Sequence, residues 1–318
     1  MPPPKIQLFG RFSIVRDGRE FDCIQSGKAK ELFCYLLLHR DRPHSREVLA
    51  SLLWENCTAF QARKYFRQTL WQVQHGFHDL FPGSRLPLVQ VDGEYVRLNS
   101  LEESWLDVSV FEKAFIPVRG LSGEQMSEQQ AHALRNAVAL YKGDLLEGWY
   151  YDWCLYQRER LQGMYVATLD KLMAYCEYHR EFEDGLSFGE LLLRQDNARE
   201  RTYCRLMRLH YLAGDRAGAL RQFQRCASAL QTELGVKPAK HTLELYEQIR
   251  TDKLETPITH ILESLKQTKI ENSGPSLLPR LKGLRSLLIR LQNRLERDIR
   301  EVDRTLASHV ERPQPRKE

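Results

Sequence analysis

The chain has 318 residues, of which 42% are hydrophobic and 28% charged, and its formal net charge is +5 at pH 7. This length suggests two domains and a tail, with enough apolar side chains for real cores. No run approaches the roughly 18 apolar residues of a membrane-spanning helix, and the N-terminus lacks an apolar signal segment, so we expect a cytoplasmic protein with no membrane partner. The seven cysteines are scattered without a CxxC pair, which favours buried thiols over disulfides or a metal site.

The charge is distributed unevenly along the chain. Basic residues exceed acidic ones in 1–98 and again in 275–318, whereas acidic residues exceed basic ones in 99–274. This order is consistent with a nucleic-acid module followed by a module that contacts protein.

The first predicted element is a small β-sheet. Residues 6–15 are rich in β-forming side chains, and Asp17 and Gly18 predict a hairpin turn before a further strand at 19–24. Two helices follow. Residues 27–38 have the apolar spacing of a helix, and a second helix at 46–54 begins with Ser45 as its predicted N-cap.

The stretch from Thr58 to Phe77 is the one on which the functional prediction depends. Thr58 and Gln61 have the spacing of a capping box, and no acid occurs in the stretch. One helical face is apolar and consists of Ala62, Phe66, Leu70, Val73 and Phe77. The opposite face carries basic, amide and aromatic side chains, namely Arg63, Lys64, Arg67, Gln68, Trp71, Gln72 and His75.

This outer face suits the major groove of DNA. Arginine pairs with guanine, amide side chains pair with adenine, and the absence of acids avoids repulsion from phosphate. The alternative is a solvated charged face on an ordinary amphipathic helix, and the stretch by itself leaves both interpretations open.

The next element favours the first interpretation. Residues 88–98 predict a hairpin that turns at Asp92 and Gly93. The order of sheet, two helices, long helix and hairpin is that of a winged helix-turn-helix, in which the hairpin is the wing. We assign contacts to the DNA backbone to four further residues, Lys28, Arg46, Tyr95 and Arg97.

Five segments also carry a resemblance to a known family. They are LFGRFSIVRDGRE (8–20), LLLHRDRPHSREVLASLLW (36–54), QARKYFRQTLWQVQ (61–74), VDGEYVRLN (91–99) and WLDVSVFEKAF (105–115). They resemble bacterial regulators in which an OmpR-type winged helix precedes a bacterial transcriptional activation domain, as in the Streptomyces antibiotic regulatory proteins. The resemblance extends over about residues 6–250. It implies that the third helix binds DNA and that RNA polymerase is a partner.

From about Gln125 the sequence pattern predicts a series of consecutive helices. Gly185-Leu186 and Ala219-Leu220 follow similar helix and turn patterns and lie 34 residues apart, the period of a tetratricopeptide repeat. Each helix pair can hide its apolar face only against its neighbours, so at least three pairs should stack between 125 and 250.

The C-terminal segment has a different pattern. Leucines at coiled-coil spacing follow a linker at 271–275, and those predicted to mediate oligomerisation are Leu277, Leu281, Leu284, Leu288, Leu291 and Leu295. This helix can fold back on the same chain or pair with a second chain. Its length of about 45 Å favours a homodimer.

Neither catalytic nor cofactor motifs occur, so we expect no enzyme activity, no cofactor and no metal. A dense aromatic group, Trp149, Tyr150, Tyr151, Trp153 and Tyr156, admits a ligand cage, but packing of the adjoining helix is the favoured interpretation.

The predicted fold is mainly α with a small β component. It comprises a winged-helix DNA-binding domain at 1–115, a bacterial transcriptional activation domain with tetratricopeptide-like repeats at 116–251, and a helical extension with a coiled coil and a disordered tail at 252–318. The predicted function is a sequence-specific transcriptional activator that binds double-stranded promoter DNA and recruits RNA polymerase. The alternative is an interaction or ligand-sensing scaffold whose winged helix docks protein.

Overall fold

Seven short strands and ten α-helices lie in the part of the chain that the computed structural model describes, residues 4–76, 88–99 and 105–254. The strands are β1 (Lys5–Gln7), β2 (Ser13–Arg16), β3 (Arg19–Glu20), β4 (His44–Ser45), β5 (Val89–Asp92), β6 (Tyr95–Leu98) and β7 (Trp105–Leu106). The helices are α1 (Gly27–Leu38), α2 (Arg46–Leu53), α3 (Ala59–Gly76), α4 (Asp107–Phe115), α5 (Glu128–Leu140), α6 (Asp152–His179), α7 (Phe182–Gln195), α8 (Glu200–Leu212), α9 (Arg216–Leu234) and α10 (Lys240–Arg250). The fold is therefore mainly α with a small β component, as predicted.

The opening sheet has the strand order β3-β2-β1-β7. Its three N-terminal strands are antiparallel neighbours, and β7 runs parallel to β1. The predicted turn at Asp17 and Gly18 is confirmed, with φ of 51° and 75°. Residues 6–15 are not one strand, because Gly10 has a φ of 82° and separates β1 from β2.

The second sheet has the order β4-β6-β5 and contains the predicted wing hairpin. Asp92 pairs with Tyr95, so the two loop residues are Gly93 and Glu94. The prediction was therefore wrong by one position, because Asp92 remains in the strand. Gly93 has a φ of 55°, which suits the first loop position of a type II′ turn.

Helices α1, α2 and α3 pack on one another beside this wing. Ser45 stands at the N-cap position of α2, but its side chain makes no capping hydrogen bond, contrary to the prediction. Its backbone is held in β4 instead, opposite Tyr95, and the N–H of Arg46 donates to the carbonyl of Glu94 at 2.9 Å. The wing therefore fixes the start of α2.

The remaining helices form the predicted repeat-like array. Helix α6 packs on α7, α7 on α8, α8 on α9 and α9 on α10, so neighbours cover each other's apolar faces. Gly235 ends α9 with a φ of 67°, in the left-handed conformation that glycine adopts without strain. No helix in the described ranges is both long and apolar enough to cross a bilayer. The predicted C-terminal leucine stripe and Phe77 lie outside the described residues.

Backbone pairing joins the opening sheet to the helical array. Leu8 and Gly10 exchange hydrogen bonds of 2.8–2.9 Å with residues 144–147, and Phe9 bridges to Leu145. The guanidinium of Arg158 donates to three carbonyls of residues 145–149, each at 2.9 Å, which fixes the loop in place. The winged region and the helical array therefore lie in one compact unit that ends at Leu254.

A buried carboxylate reinforces this joint. Asp107, at the start of α4, accepts hydrogen bonds from the N–H groups of Leu8 at 2.8 Å, Phe9 at 2.9 Å and Val108 at 2.7 Å. Burial raises the pKa of Asp107 from 3.8 to about 6, although the three N–H groups favour the charged form.

The raised pKa of Asp107 predicts a pH-dependent stability. The folded state holds this proton more tightly than the unfolded state, so the stabilisation is present below about pH 4 and is lost as the pH rises through about 6. We expect the free energy of unfolding of the wild type, relative to Asp107→Asn, to fall between these values. Urea denaturation across the range measures it, with Asp152→Asn, an exposed first-turn acid, as control. Parallel pH profiles for the wild type and Asp107→Asn would contradict the prediction.

Candidate nucleic-acid interface

Helix α3 is anchored by one buried face and a defined start. Four of the five predicted apolar residues, Ala62, Phe66, Leu70 and Val73, are buried as expected. The predicted capping box is present: the N–H of Thr58 donates to the side-chain oxygen of Gln61 at 3.2 Å, and the N–H of Gln61 donates to the Thr58 hydroxyl at 3.4 Å. The buried contacts and the cap fix which side of α3 faces outward.

The predicted outer face of α3 is at the surface. Six of its seven residues, Arg63, Lys64, Arg67, Gln68, Trp71 and His75, are exposed, and Gln72 is half-buried. The rings of Trp71 and His75 stack with centroids 4.1 Å apart, and His75 Nδ1 donates to the Trp71 carbonyl at 2.9 Å. No acid among the described residues pairs with Lys64 or Arg67. Two cations on this face are therefore available to an anionic partner.

Arg63 differs from these two cations, because it pairs with an acid on helix α2. Glu47 Oε1 lies 2.5 Å from Arg63 Nη2, and both side chains are more than half exposed. Glu47 and Arg63 lie on different helices, so the helical pattern of either segment alone could not reveal their pairing. An exposed pair contributes little to stability, so its main effect is to orient and neutralise one guanidinium.

The wing lies against the C-terminal part of α3. The side-chain amide of Gln74 donates to the carbonyl of Val89 at 3.2 Å and links the helix to strand β5. Arg97 Nε donates to Gln90 Oε1 at 3.0 Å across the hairpin, and Tyr95 is exposed on the wing. Arg46 Nη1 reaches the carbonyl of Gly93 at 3.4 Å. The structure therefore brings three of the four predicted backbone-contact residues together on and beside the wing.

Lys28, the fourth, has a different environment. Its ammonium lies 2.8 Å from the carboxylate of buried Glu31, and over the rings of Trp54 at 5.9 Å and Tyr151 at 5.2 Å. The ammonium is thus occupied at the contact between α1 and the N-terminal end of α6. A phosphate contact by Lys28 would compete with this ion pair.

The same contact explains part of the aromatic group. Trp153 packs edge-on against Tyr35 at 5.4 Å and donates to Glu31 Oε1 at 3.4 Å. Trp149 packs edge-on against Trp153 at 6.4 Å. Trp153 therefore packs between the two halves of the unit with Trp149 against it, and the Lys28 ammonium lies over the neighbouring ring of Tyr151. The packing interpretation fits them better than a ligand cage.

One cluster of a thiol and two carboxylates has the side-chain types that could bind a metal ion. Cys176, Glu181 and Asp184 bring ligand atoms within 4.8 Å of one another. The guanidinium of Arg135 lies among them and contacts both carboxylates and the thiol. Because a cation is already supplied by the protein, this group is an ion-pair cluster.

Comparisons with known proteins agree with this architecture. Residues 106–250 match the family model described as the bacterial transcriptional activator domain. The fold is similar to the solved structure of Mycobacterium tuberculosis EmbR in complex with a low-affinity phosphopeptide, with a TM-score of 0.60 and 17% identity over 87% of this chain and 73% of that chain. No curated protein sequence matches the chain.

The family match covers the helical array, and the structural likeness extends the shared fold to the winged region. Residues 106–250 therefore belong to the bacterial transcriptional activator domain family, and the chain shares its fold with the EmbR structure.

Proposed function

We propose that the chain is a sequence-specific DNA-binding activator that recruits RNA polymerase to promoters in the cytoplasm and has no enzymatic role. The observation that carries the proposal is the outer face of α3, which is exposed and free of acids and lies beside a hairpin wing. The opposite face is buried, so α3 presents a fixed surface to a groove.

In this proposal α3 enters the major groove. Arg67 and Gln68 sit in mid-helix on the exposed face and are suited to base edges, while Lys64 is suited to phosphate. The exposed ring of Trp71 offers an apolar contact for a thymine methyl group. Arg97 and Arg46, on and beside the wing, are suited to the adjacent backbone.

The first prediction concerns base reading by Arg67. Arg67→Ala should weaken binding to the specific site by about 1–3 kcal/mol and relax discrimination at one base pair, because a bidentate contact to guanine is lost. A gel-shift titration at physiological salt measures it. Arg201→Ala, which removes an exposed arginine on α8, should bind like the wild type. Undiminished promoter binding by Arg63→Ala/Arg67→Ala would instead favour the scaffold function.

The second prediction concerns Glu47. Glu47→Gln frees the Arg63 guanidinium from its pair, so binding to random DNA should tighten and its dependence on salt should steepen by about one counterion. Titrations with specific and random duplexes at several salt concentrations measure both quantities. Glu55→Gln, an exposed acid just after α2, is the control. An unchanged salt slope in Glu47→Gln would contradict the prediction, because it would show that the freed Arg63 guanidinium adds no phosphate contact.

The third prediction concerns assembly. We propose a homodimer formed through the leucine stripe at 277–295, which would place two winged regions on two half-sites and raise affinity through effective concentration. Light scattering at micromolar concentration should give the mass of a dimer for the full chain and of a monomer for a chain that ends at Thr268. A monomer in both samples would contradict the dimer and leave the fold-back alternative.

A further inference from the structure

The first turns of α6 present an apolar and acidic surface. Asp152, Leu155, Tyr156 and Glu159 follow the i, i+3, i+4, i+7 spacing of one helical face, and all four are exposed. Tyr150 and Tyr151 precede them and are also exposed. We call these six residues the tyrosine–acid face. Leu155 is 40% exposed, Tyr156 68% and Tyr150 78%, which is unusual for side chains of this size in one place.

Packing within the chain accounts for Tyr151, whose ring stacks on Trp153 and meets Trp149 edge-on, but not for the other five residues of this face. The opposite side of the same turns supplies the buried residues Cys154, Gln157 and Leu161. Trp153, a partly buried neighbour, contacts Tyr35 of the winged region, and Trp149 packs on Trp153. Tyr150 and Tyr156 remain largely exposed, so these contacts do not cover them.

The face is also left without neutralising charge. No cation among the described residues pairs with the carboxylate of Asp152 or Glu159. The nearest arginines in sequence are turned away: Arg158 donates to backbone carbonyls, and Arg160 pairs with Glu112 at 2.7 Å. Acids that flank exposed aromatic rings, with their neighbouring cations engaged elsewhere, form a surface complementary to a basic partner.

Within the chain a tyrosine ring and a carboxylate together bind a cationic side chain. The Lys28 ammonium lies 5.2 Å from the centroid of the Tyr151 ring while it pairs with Glu31. An aromatic face together with a carboxylate attracts a cation more strongly than either group alone. Tyr150 and Tyr156, with Asp152 and Glu159, offer the same pair of groups outward.

We infer that the tyrosine–acid face docks a basic segment of RNA polymerase, whose arginine or lysine side chains lie over the tyrosine rings and pair with Asp152 and Glu159. The inference rests on the proposed function, since it assigns a surface to the polymerase that the activator recruits. Through Lys28, which also lies over the ring of Trp54 at the end of α2, the face adjoins the winged region. Polymerase bound there would lie close to the DNA-binding half.

The test uses the full chain and purified RNA polymerase holoenzyme. Asp152→Lys/Glu159→Lys and Tyr150→Ala/Tyr156→Ala should each weaken polymerase binding by roughly tenfold, while promoter binding in a gel shift stays unchanged. Tyr150→Phe/Tyr156→Phe keeps the ring faces and should bind nearly as the wild type does. Matched controls are Tyr178→Ala and Glu183→Lys, an exposed tyrosine and an exposed first-turn acid away from the face. Biolayer interferometry measures affinity, and circular dichroism checks folding.

Each outcome has a distinct meaning. Equal polymerase binding by the wild type and by folded variants of the face would overturn the inference and leave recruitment in place. A wild type that binds promoter DNA but no polymerase would overturn recruitment and the inference together. If the face variants instead lower the mass seen by light scattering, the face is a contact between two copies of the chain, and the inference is wrong.

Discussion

The short segment from Leu8 to Gly10 is held on two sides, and the joint between the two halves of the compact unit depends on it. The buried carboxylate of Asp107 accepts the N–H groups of Leu8 and Phe9, while Leu8 and Gly10 pair with the loop at 144–147. Buried N–H groups without acceptors are costly, so separating this segment from either partner would lower the stability of the fold. The winged region and the activator domain therefore lie in one compact unit, with the hydrogen bonds of this segment between them.

Arginine has two distinct uses in this unit. Inside, guanidinium groups bridge elements: Arg40 and Arg160 both pair with Glu112 on α4, and Arg158 holds three carbonyls. On α3, by contrast, Arg67 has no acid beside it among the described residues. Net charge alone cannot distinguish these uses, since a satisfied guanidinium and a free one count equally. Binding to an anionic partner depends on the free ones.

The local elements of the fold were predictable from the sequence. The bounds of α1, the capping box of α3 and the turn at Asp17 and Gly18 each depend on residues close together in the chain. Errors arose where strand pairing involved backbone that the prediction had assigned to a cap or a turn. The Ser45 side chain makes no capping hydrogen bond, and its backbone pairs with β6. The wing turn lies one residue later than predicted, because Asp92 is paired in the strand. The pairing of β4 with β6 joins segments far apart in the chain, so no local pattern reports it.

The sequence by itself determined which side of α3 faces outward and that this side carries no acid, because helical periodicity and charge are properties of one segment. Tertiary structure alone decided which charges remain free. It brought Glu47 from α2 to Arg63, turned Lys28 toward Glu31, and left the first turns of α6 exposed. The physical reason is that an ion pair acts over a few ångströms between side chains remote in sequence, so its existence depends on how the helices pack.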